Sequence, residues 1–450
     1  MRQDPKQSSE EYCEICKNHH DFILPADLFE ALINHELVLF AGAGISTESR
    51  NVFPVTLYED ILSEIDHSHK KEISFSKAMT EFCKNRGDRR EIIDRIMTRI
   101  NYVRSFPSLY RQTVEFHRRL AMIPCIKEIV TTNWDDFFEI ECHATPFVYE
   151  QDMGFWDKPQ RKVLKLHGSV NNLGSMVITF EDYEKKYQSL NTGLVGSQLK
   201  LLIANKKLVF IGYSFGDEDF DRIYSYVRTQ LGDLINKSYI VTLDKLKDNQ
   251  WEELGLEPIY TAGEYFLQVL QHKLELRDCL LSDSTINRVY KELDTLQKEH
   301  ARLARDIRAF EQPEVIYCLS YQDGIIHAFE HFSHHVNYGE SLCKKRIHDL
   351  LHTYEGLIEE KRSHGKWFDV AYLQGYLNGY LFVLVNKNEI KYFPRYLDLS
   401  LGRELRTFNE YVNSLGIIDG RRKTITKYAV RFTSDIPDKS IVVQHTPFLL

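Results

Sequence analysis

The sequence predicts an α/β fold, a Rossmann-like parallel sheet followed by a mainly helical C-terminal region. Three observations carry this prediction. Short apolar runs alternate with stretches of helical spacing as far as about residue 275. Each run ends on a residue with chemistry to offer, and beyond 275 the spacing turns almost wholly helical. Buried strands that alternate with helices belong to a parallel sheet covered on both faces. In such sheets the ligand crevice lies beyond the carboxyl ends of the strands.

The first run is Leu37–Phe40, preceded by a helix that Pro25 opens and that runs to about Asn34. Gly42 and Gly44 follow it directly, and then Ser46 and Thr47, both good helix N-caps. A strand that turns on glycines into a helix start brings bare amides to a place that welcomes phosphate. The full Gly-x-Gly-x-x-Gly fingerprint is incomplete, because Thr47 stands at its third glycine. A phosphate loop and an ordinary tight turn therefore both fit this stretch alone. Residues 55–120 show helical spacing (Leu57, Ile61, Ile65; Ile92, Ile96, Ile100), the pattern of a helical insertion or cap. Further strands are expected at 126–131 before Asn133, at 163–166 before His167, at 208–211 before Gly212, and at 239–243 before Asp244. Helices at about 194–205 and 218–231 fill the gaps.

Past 275, Ile286, Val289, Leu293, Leu296, His300, Leu303, Ile307 and Phe310 keep an unbroken 3,4 spacing. This predicts a long amphipathic helix whose stripe serves as intramolecular core or as an oligomer seam. Helices are expected at 322–335, 340–361 and 366–386, a strand at 424–432, and an extended tail. The chain thus reads as a flexible segment 1–24, a nucleotide-binding catalytic domain 25–275 and a helical regulatory or assembly domain 276–450.

Composition narrows the function classes. The 450 residues are 43% hydrophobic and 27% charged, with a net charge of −8, so no nucleic-acid-binding basic coat is expected. The polar opening residues do not read as a secretory signal, and no run of about 18 apolar residues is present to span a bilayer. Eight cysteines without a small-domain framework point to a reducing, cytoplasmic setting. Cys13-x-x-Cys16 with His19 and His20 offers zinc-ligand types at a cramped spacing, and free thiols fit equally well. His327, His331, His334 and His335 have helical spacing, but nothing nearby completes a metal set, so no metal is expected.

Four motifs remain: Gly42-Ala-Gly-Ile-Ser46, Thr131-Thr-Asn-Trp-Asp135, Leu166-His-Gly168 and Gly212-Tyr-Ser-Phe-Gly-Asp217. In this order they resemble the sirtuin (silent-information-regulator) family over roughly residues 25–272. The resemblance implies NAD as substrate. Ala41, Gly42, Ala43, Gly44 and Ser46 would hold the pyrophosphate, with Gly212 and Ser214 returning to it. Thr132, Asn133 and Asp135 would address the nicotinamide ribose and carboxamide, His167 would act as general base, and Asp244 would suit the adenosine ribose. Asn133 and His167 are then the catalytic pair.

Departures from the deacylases of that family are equally informative. There is no cysteine between Cys142 and Cys279, so the two Cys-x-x-Cys pairs of their zinc ribbon are missing. The Asp-Phe-Arg element after the glycine loop is absent, and Trp134 replaces a smaller aliphatic residue. These losses spare NAD cleavage and undercut acyl-peptide transfer. The variant motifs look like the sirtuin-like effectors of bacterial antiphage defence, which hydrolyse NAD when infection is sensed and are held off until assembly or a partner triggers them. The region after 275 reads neither as the second nucleotide-binding domain of the Thoeris type nor as the β-rich extension of Argonaute-associated effectors. A homo-oligomer working with a HerA-like hexameric ATPase is the expectation by elimination. Two rivals stand beside the NAD glycohydrolase: a protein deacylase or ADP-ribosyltransferase of the same fold, and a non-catalytic module that binds NAD or ADP-ribose.

Overall fold

The computed structural model describes residues 18–47, 52–65, 73–85, 87–215, 217–245, 248–309, 311–336, 343–385, 393–417, 422–436 and 443–448. Cys13, Cys16 and Phe310 lie outside them. The chain divides between His272 and Lys273 into two compact units.

In the first unit, α1 (Ala26–Ile33) leads into β1 (Leu37–Ala41), every residue of which is buried. Five helices follow: α2 (Leu57–Glu64), α3 (Phe75–Asn85), α4 (Arg89–Ser105), α5 (Pro107–Thr113) and α6 (Glu115–Ala121). Then come β2 (Glu128–Thr131), α7 (Phe137–Cys142), β3 (Thr145–Phe147), β4 (Lys162–Lys165), α8 (Phe180–Thr192), α9 (Leu194–Asn205) and β5 (Lys207–Ile211). The unit closes with α10 (Glu218–Leu231), β6 (Ser238–Thr242), α11 (Asp248–Glu253), β7 (Leu256–Tyr260) and most of α12 (Gly263–Leu276), whose last turn passes the division. The seven strands form one sheet in the order β3-β4-β2-β1-β5-β6-β7, and every pairing is parallel. Two edge strands, β3 and β7, thus extend the five that the sequence predicts.

The register levels the strand ends. Ala41 pairs with Thr131 on one side and with Ile211 on the other, and Thr131 pairs with Lys165. The sheet grows outward from β1 in both directions, through β2 on one side and β5 on the other, so the strand order reverses between β1 and β5. Such a switch point is where α/β sheets open a crevice. One face is filled by Phe40, Phe210, Tyr213, Phe220 and Tyr224, with the Phe40 and Phe220 rings 4.2 Å apart between centroids. The insertion α2–α4 has a core of its own, in which Leu57, Ile61, Met79, Phe82, Ile92, Ile96 and Ile100 pack with Val170, Met176 and Ile178 from the segment after β4. That packing holds the insertion beside the strand ends.

The second unit contains α13 (Asp283–Asp306), α14 (Val315–Val336), α15 (Lys344–Ser363), α16 (Trp367–Leu384), the antiparallel pair β8 (Tyr396–Asp398) and β9 (Arg403–Leu405), α17 (Phe408–Leu415) and α18 (Arg422–Ser434). Val289, Leu296 and Leu303 of the α13 stripe are fully buried, so the stripe is intramolecular core. The strand expected at 424–432 is the helix α18. Its β-branched and aromatic residues obey helical spacing, with Ala429 buried and the Tyr428 and Phe432 rings stacked one turn apart. His327 and His331 pair through Nδ1 with the hydroxyls of Tyr372 (3.1 Å) and Tyr380 (2.6 Å). Among the described residues no group of histidine, cysteine and acidic side chains is placed to hold a metal ion, and no helix is long and apolar enough to cross a membrane.

Candidate active site

The levelled strand ends open into a cavity of 660 Å³, within the usual range of about 300–1,000 Å³ for small-molecule sites. Ala43, Gly44, Ser46, Thr132, Asn133, Asp135, His167, Gly212 and Ser214 all line it, as do Asp217, Tyr183 and Trp134. The opposite wall comes from the helical insertion and the segments around it, including Tyr58, Phe75, Ile96 and Arg99.

The glycine loop is shaped by close backbone approach. Gly42 N–H donates to the Ile211 carbonyl at 3.0 Å and Gly44 N–H to the Gly212 carbonyl at 3.0 Å. A Cβ on Gly42 would lie 2.4 Å from the Gly212 oxygen, and Gly212 itself has φ +65°. Only glycine fits both places. The expected helix start is corrected here. The loop makes one 3₁₀ turn, Ala43–Ile45, and among the described residues the next helix, α2, begins at Leu57 under a Thr56–Glu59 capping box. Ser46 is no N-cap, because its hydroxyl donates to Asp135 Oδ2 at 2.9 Å inside the protein.

Asn133 is 5% exposed and held on three sides. Its backbone N–H donates to Thr131 Oγ1 (3.0 Å), whose own hydroxyl donates to the Ala41 carbonyl (2.8 Å). Its Nδ2 donates to the Gly42 carbonyl (3.2 Å) and lies 3.3 Å from Ser46 Oγ. With Nδ2 so engaged, Oδ1 is buried and has no hydrogen-bond partner. A buried acceptor without a partner, on a residue that lines a cavity, is costly to keep unless something satisfies it. Asp135 is buried, and burial raises its pKa against the pull of Lys165 and the Ser46 hydroxyl. Three residues of the sequence prediction fall outside the lining. Ala41 ends β1 with its carbonyl turned to Thr131, Gly42 sits behind the loop with its carbonyl accepting from Asn133 Nδ2, and Asp244, beyond β6, does not line this cavity.

His167 follows β4 and is 2% exposed. Gly168 next to it has φ +81°, and a Cβ there would strike the Ser175 carbonyl, so the His-Gly pair makes a turn that another residue would strain. His167 Nε2 lies 3.2 Å from both carboxylate oxygens of Asp219, and Nδ1 lies 3.9 Å from Asp217 Oδ1. Its ring meets the Tyr183 ring edge-on at 4.8 Å. Burial pulls the imidazole pKa down, but the Asp219 and Asp217 carboxylates outweigh it and hold the value above the ordinary one. Asp219, Tyr183 and the insertion residues escape the sequence reading. Asp219 stands 52 positions from its partner, and only the acidic run after Gly212-Tyr-Ser-Phe hints at it.

Residues 127–259 match the SIR2-like domain family. The matched region contains β2 to β6 and most of β7, and with them Asn133, His167 and Asp219. The chain is 29% identical over 279 residues to the NAD(+) hydrolase ThsA of Enterococcus faecium, covering 60% of this chain and 56% of that protein. It is 27% identical over 241 residues to the NAD(+) hydrolase ThsA of Cytobacillus dafuensis (52% and 46%). With the defense-associated sirtuin 2 of Bacillus subtilis it shares 26% identity over 230 residues (48% and 22%). The chain spans about half the length of the NAD(+) hydrolases it matches.

Proposed function

We propose that the SIR2-like unit is an NAD glycohydrolase that releases nicotinamide and passes the ADP-ribosyl group to water. The observation that carries this reading is the joint presence of Asn133 and His167 at adjacent strand ends of one cavity, Asn133 with an unpartnered acceptor and His167 as a titratable base. The names of the relatives, two of them NAD(+) hydrolases, support it.

Cleavage of the N-glycosidic bond puts positive charge on the ribose and expels a neutral nicotinamide, so the leaving group needs no proton from the protein. The site must orient the ribose, present water and take one proton. Asn133 Oδ1 accepts from a ribose hydroxyl or from the attacking water. Asp135 is placed to accept from the carboxamide, while the amides and hydroxyls around Ala43, Gly44, Ser46, Gly212 and Ser214 suit phosphates. Arg99, the single Arg or Lys among the described lining residues, offers the anion a positive charge. No metal enters this scheme.

We carry over from the resemblance that the protein is an antiphage effector that works as a homo-oligomer, from its cysteine usage that it is cytoplasmic, and by elimination that its trigger is a partner such as a HerA-like hexameric ATPase. The second unit, which builds no parallel sheet among its described residues, is the proposed seat of that control. Turnover of NAD in ¹⁸O-labelled water tests the hydrolytic step. The label is expected at the anomeric carbon of free ADP-ribose. Nicotinamide release only with an acetyl-lysine peptide, yielding an O-acetylated product, would replace the reading with deacylation.

A further inference from the structure

His167 is gripped on the side away from the cavity. Its Nε2 is 3.2 Å from each oxygen of Asp219, and the two side chains are only 2% and 1% exposed. Asp219 is fixed in turn, since the Phe220 N–H donates to its Oδ1 at 2.9 Å. The other ring nitrogen stands differently. Nδ1 is 3.9 Å from Asp217 Oδ1, beyond hydrogen-bond reach, and Asp217 lines the cavity whereas Asp219 does not. Tyr183 braces this arrangement, its ring against the imidazole and its hydroxyl donating to Asp217 at 3.1 Å.

An ionised carboxylate only accepts hydrogen bonds, so a nitrogen facing two of its oxygens keeps its proton. The neutral ring then carries its lone pair on the opposite nitrogen. We propose that Asp219 is a positioning residue that locks His167 in the Nε2–H tautomer, so that Nδ1, on the cavity side, is the atom that accepts the proton in NAD hydrolysis. This rests on the glycohydrolase reading above. In the step itself a water O–H bond breaks and its proton passes to Nδ1, giving an imidazolium paired with Asp219. The water oxygen bonds to the anomeric carbon, and the electron pair of the glycosidic bond leaves with neutral nicotinamide. The imidazolium later returns its proton to solvent. The groups facing the ring are Asp219 and Asp217 from the start of α10 and Tyr183 and Lys186 from α8. The two carboxylates favour the charged ring, while burial and Lys186 oppose it. Loss of the Asp219 carboxylate therefore moves the acid limb of activity to lower pH.

The test uses the full chain in two measurements. Histidine ¹⁵N NMR at pH above the His167 titration, with His167 assigned through His167→Gln, is expected to show a protonated Nε2 and a bare Nδ1. A protonated Nδ1 would overturn the proposal, and this measurement on the wild-type protein does not depend on turnover. Nicotinamide release by Asp219→Asn and Asp219→Ala is expected to fall at least about tenfold in kcat with little change in KM, a share of the roughly 10²–10⁴-fold that general-base catalysis contributes. In Asp219→Asn the acid limb should also move down. Wild-type kcat and an unmoved acid limb in both variants, beside an inactive His167→Ala, would sink the role of Asp219 alone. Full activity of His167→Ala would instead sink the base assignment of the underlying reading.

Discussion

Gly42 sits where backbone meets backbone, and a single methyl group is enough to test that packing. A Cβ at this position would meet the Gly212 oxygen at 2.4 Å and the Tyr213 Cα at 2.7 Å, atoms that no side-chain rotation can move away. Gly42→Ala is expected to destabilise the first unit by about 1–3 kcal/mol, the cost of overpacking, and to displace Asn133 Nδ2 from its carbonyl. Chemical denaturation checks the first effect, and an unchanged midpoint would contradict it. His117 makes a second residue-scale prediction. It is wholly buried with neither ring nitrogen hydrogen-bonded, its ring packed on Phe137 and Phe138, and burial pulls its pKa to about 3 from the ordinary 6.5. The unfolded chain takes the proton first, so the native state is favoured fully above 6.5 and less and less as pH falls toward 3. Wild-type protein should therefore lose stability relative to His117→Phe between those values, measured by urea unfolding at a series of pH. Sequence alone made Asn133, Asp135, His167 and the glycines legible because each stands just past an apolar run. Asp219 was not legible, since its meaning arises only when β4 and α10 bring it to His167.

At the scale of elements, the same substitution has opposite signs in two helices. Gly324 of α14 and Gly375 of α16 let the helix backbones touch. A Cβ on Gly375 would fall 1.9 Å from the Tyr321 carbonyl, and one on Gly324 would fall 2.0 Å from that of Tyr372. Gly356 of α15 is exposed, with nothing within 4 Å of its Cβ position. Gly375→Ala should cost about 1–3 kcal/mol or more, whereas Gly356→Ala should stabilise by about 0.5–1 kcal/mol through helix propensity. Thermal unfolding of the two variants with the wild type decides the sign of each. The elements also show where sequence patterns stop informing. The five central strands announce themselves as buried runs. The edge strands β3 and β7 pair on one side only, contain Pro146 and Pro258, and bury only some of their residues, so neither periodicity nor composition marks them. Residues 424–432 mislead for the converse reason, because β-branched and aromatic residues there fill a helix whose packing overrides local propensity.

The whole molecule joins two units with separate cores, and each has its own buried ionisable groups. In the second unit burial pushes the Asp323 carboxyl up to about 7 from 3.8, against the pull of the His445 backbone N–H. Its folded value is raised, so its favourable share is full below 3.8 and is lost as pH rises through 7. Hydrogen exchange over residues 273–450 should accelerate across that window in wild-type protein relative to Asp323→Asn, and equal rates would contradict the assignment. The first unit carries the central claim, that this cavity cleaves NAD and uses water. The most direct measurement is nicotinamide release from NAD by the full chain, concentrated enough to assemble, beside Asn133→Ala and without peptide. Release that needs no peptide and vanishes in Asn133→Ala is the predicted result. Release undiminished in Asn133→Ala, or dependent on an acetyl-lysine peptide, would contradict the account.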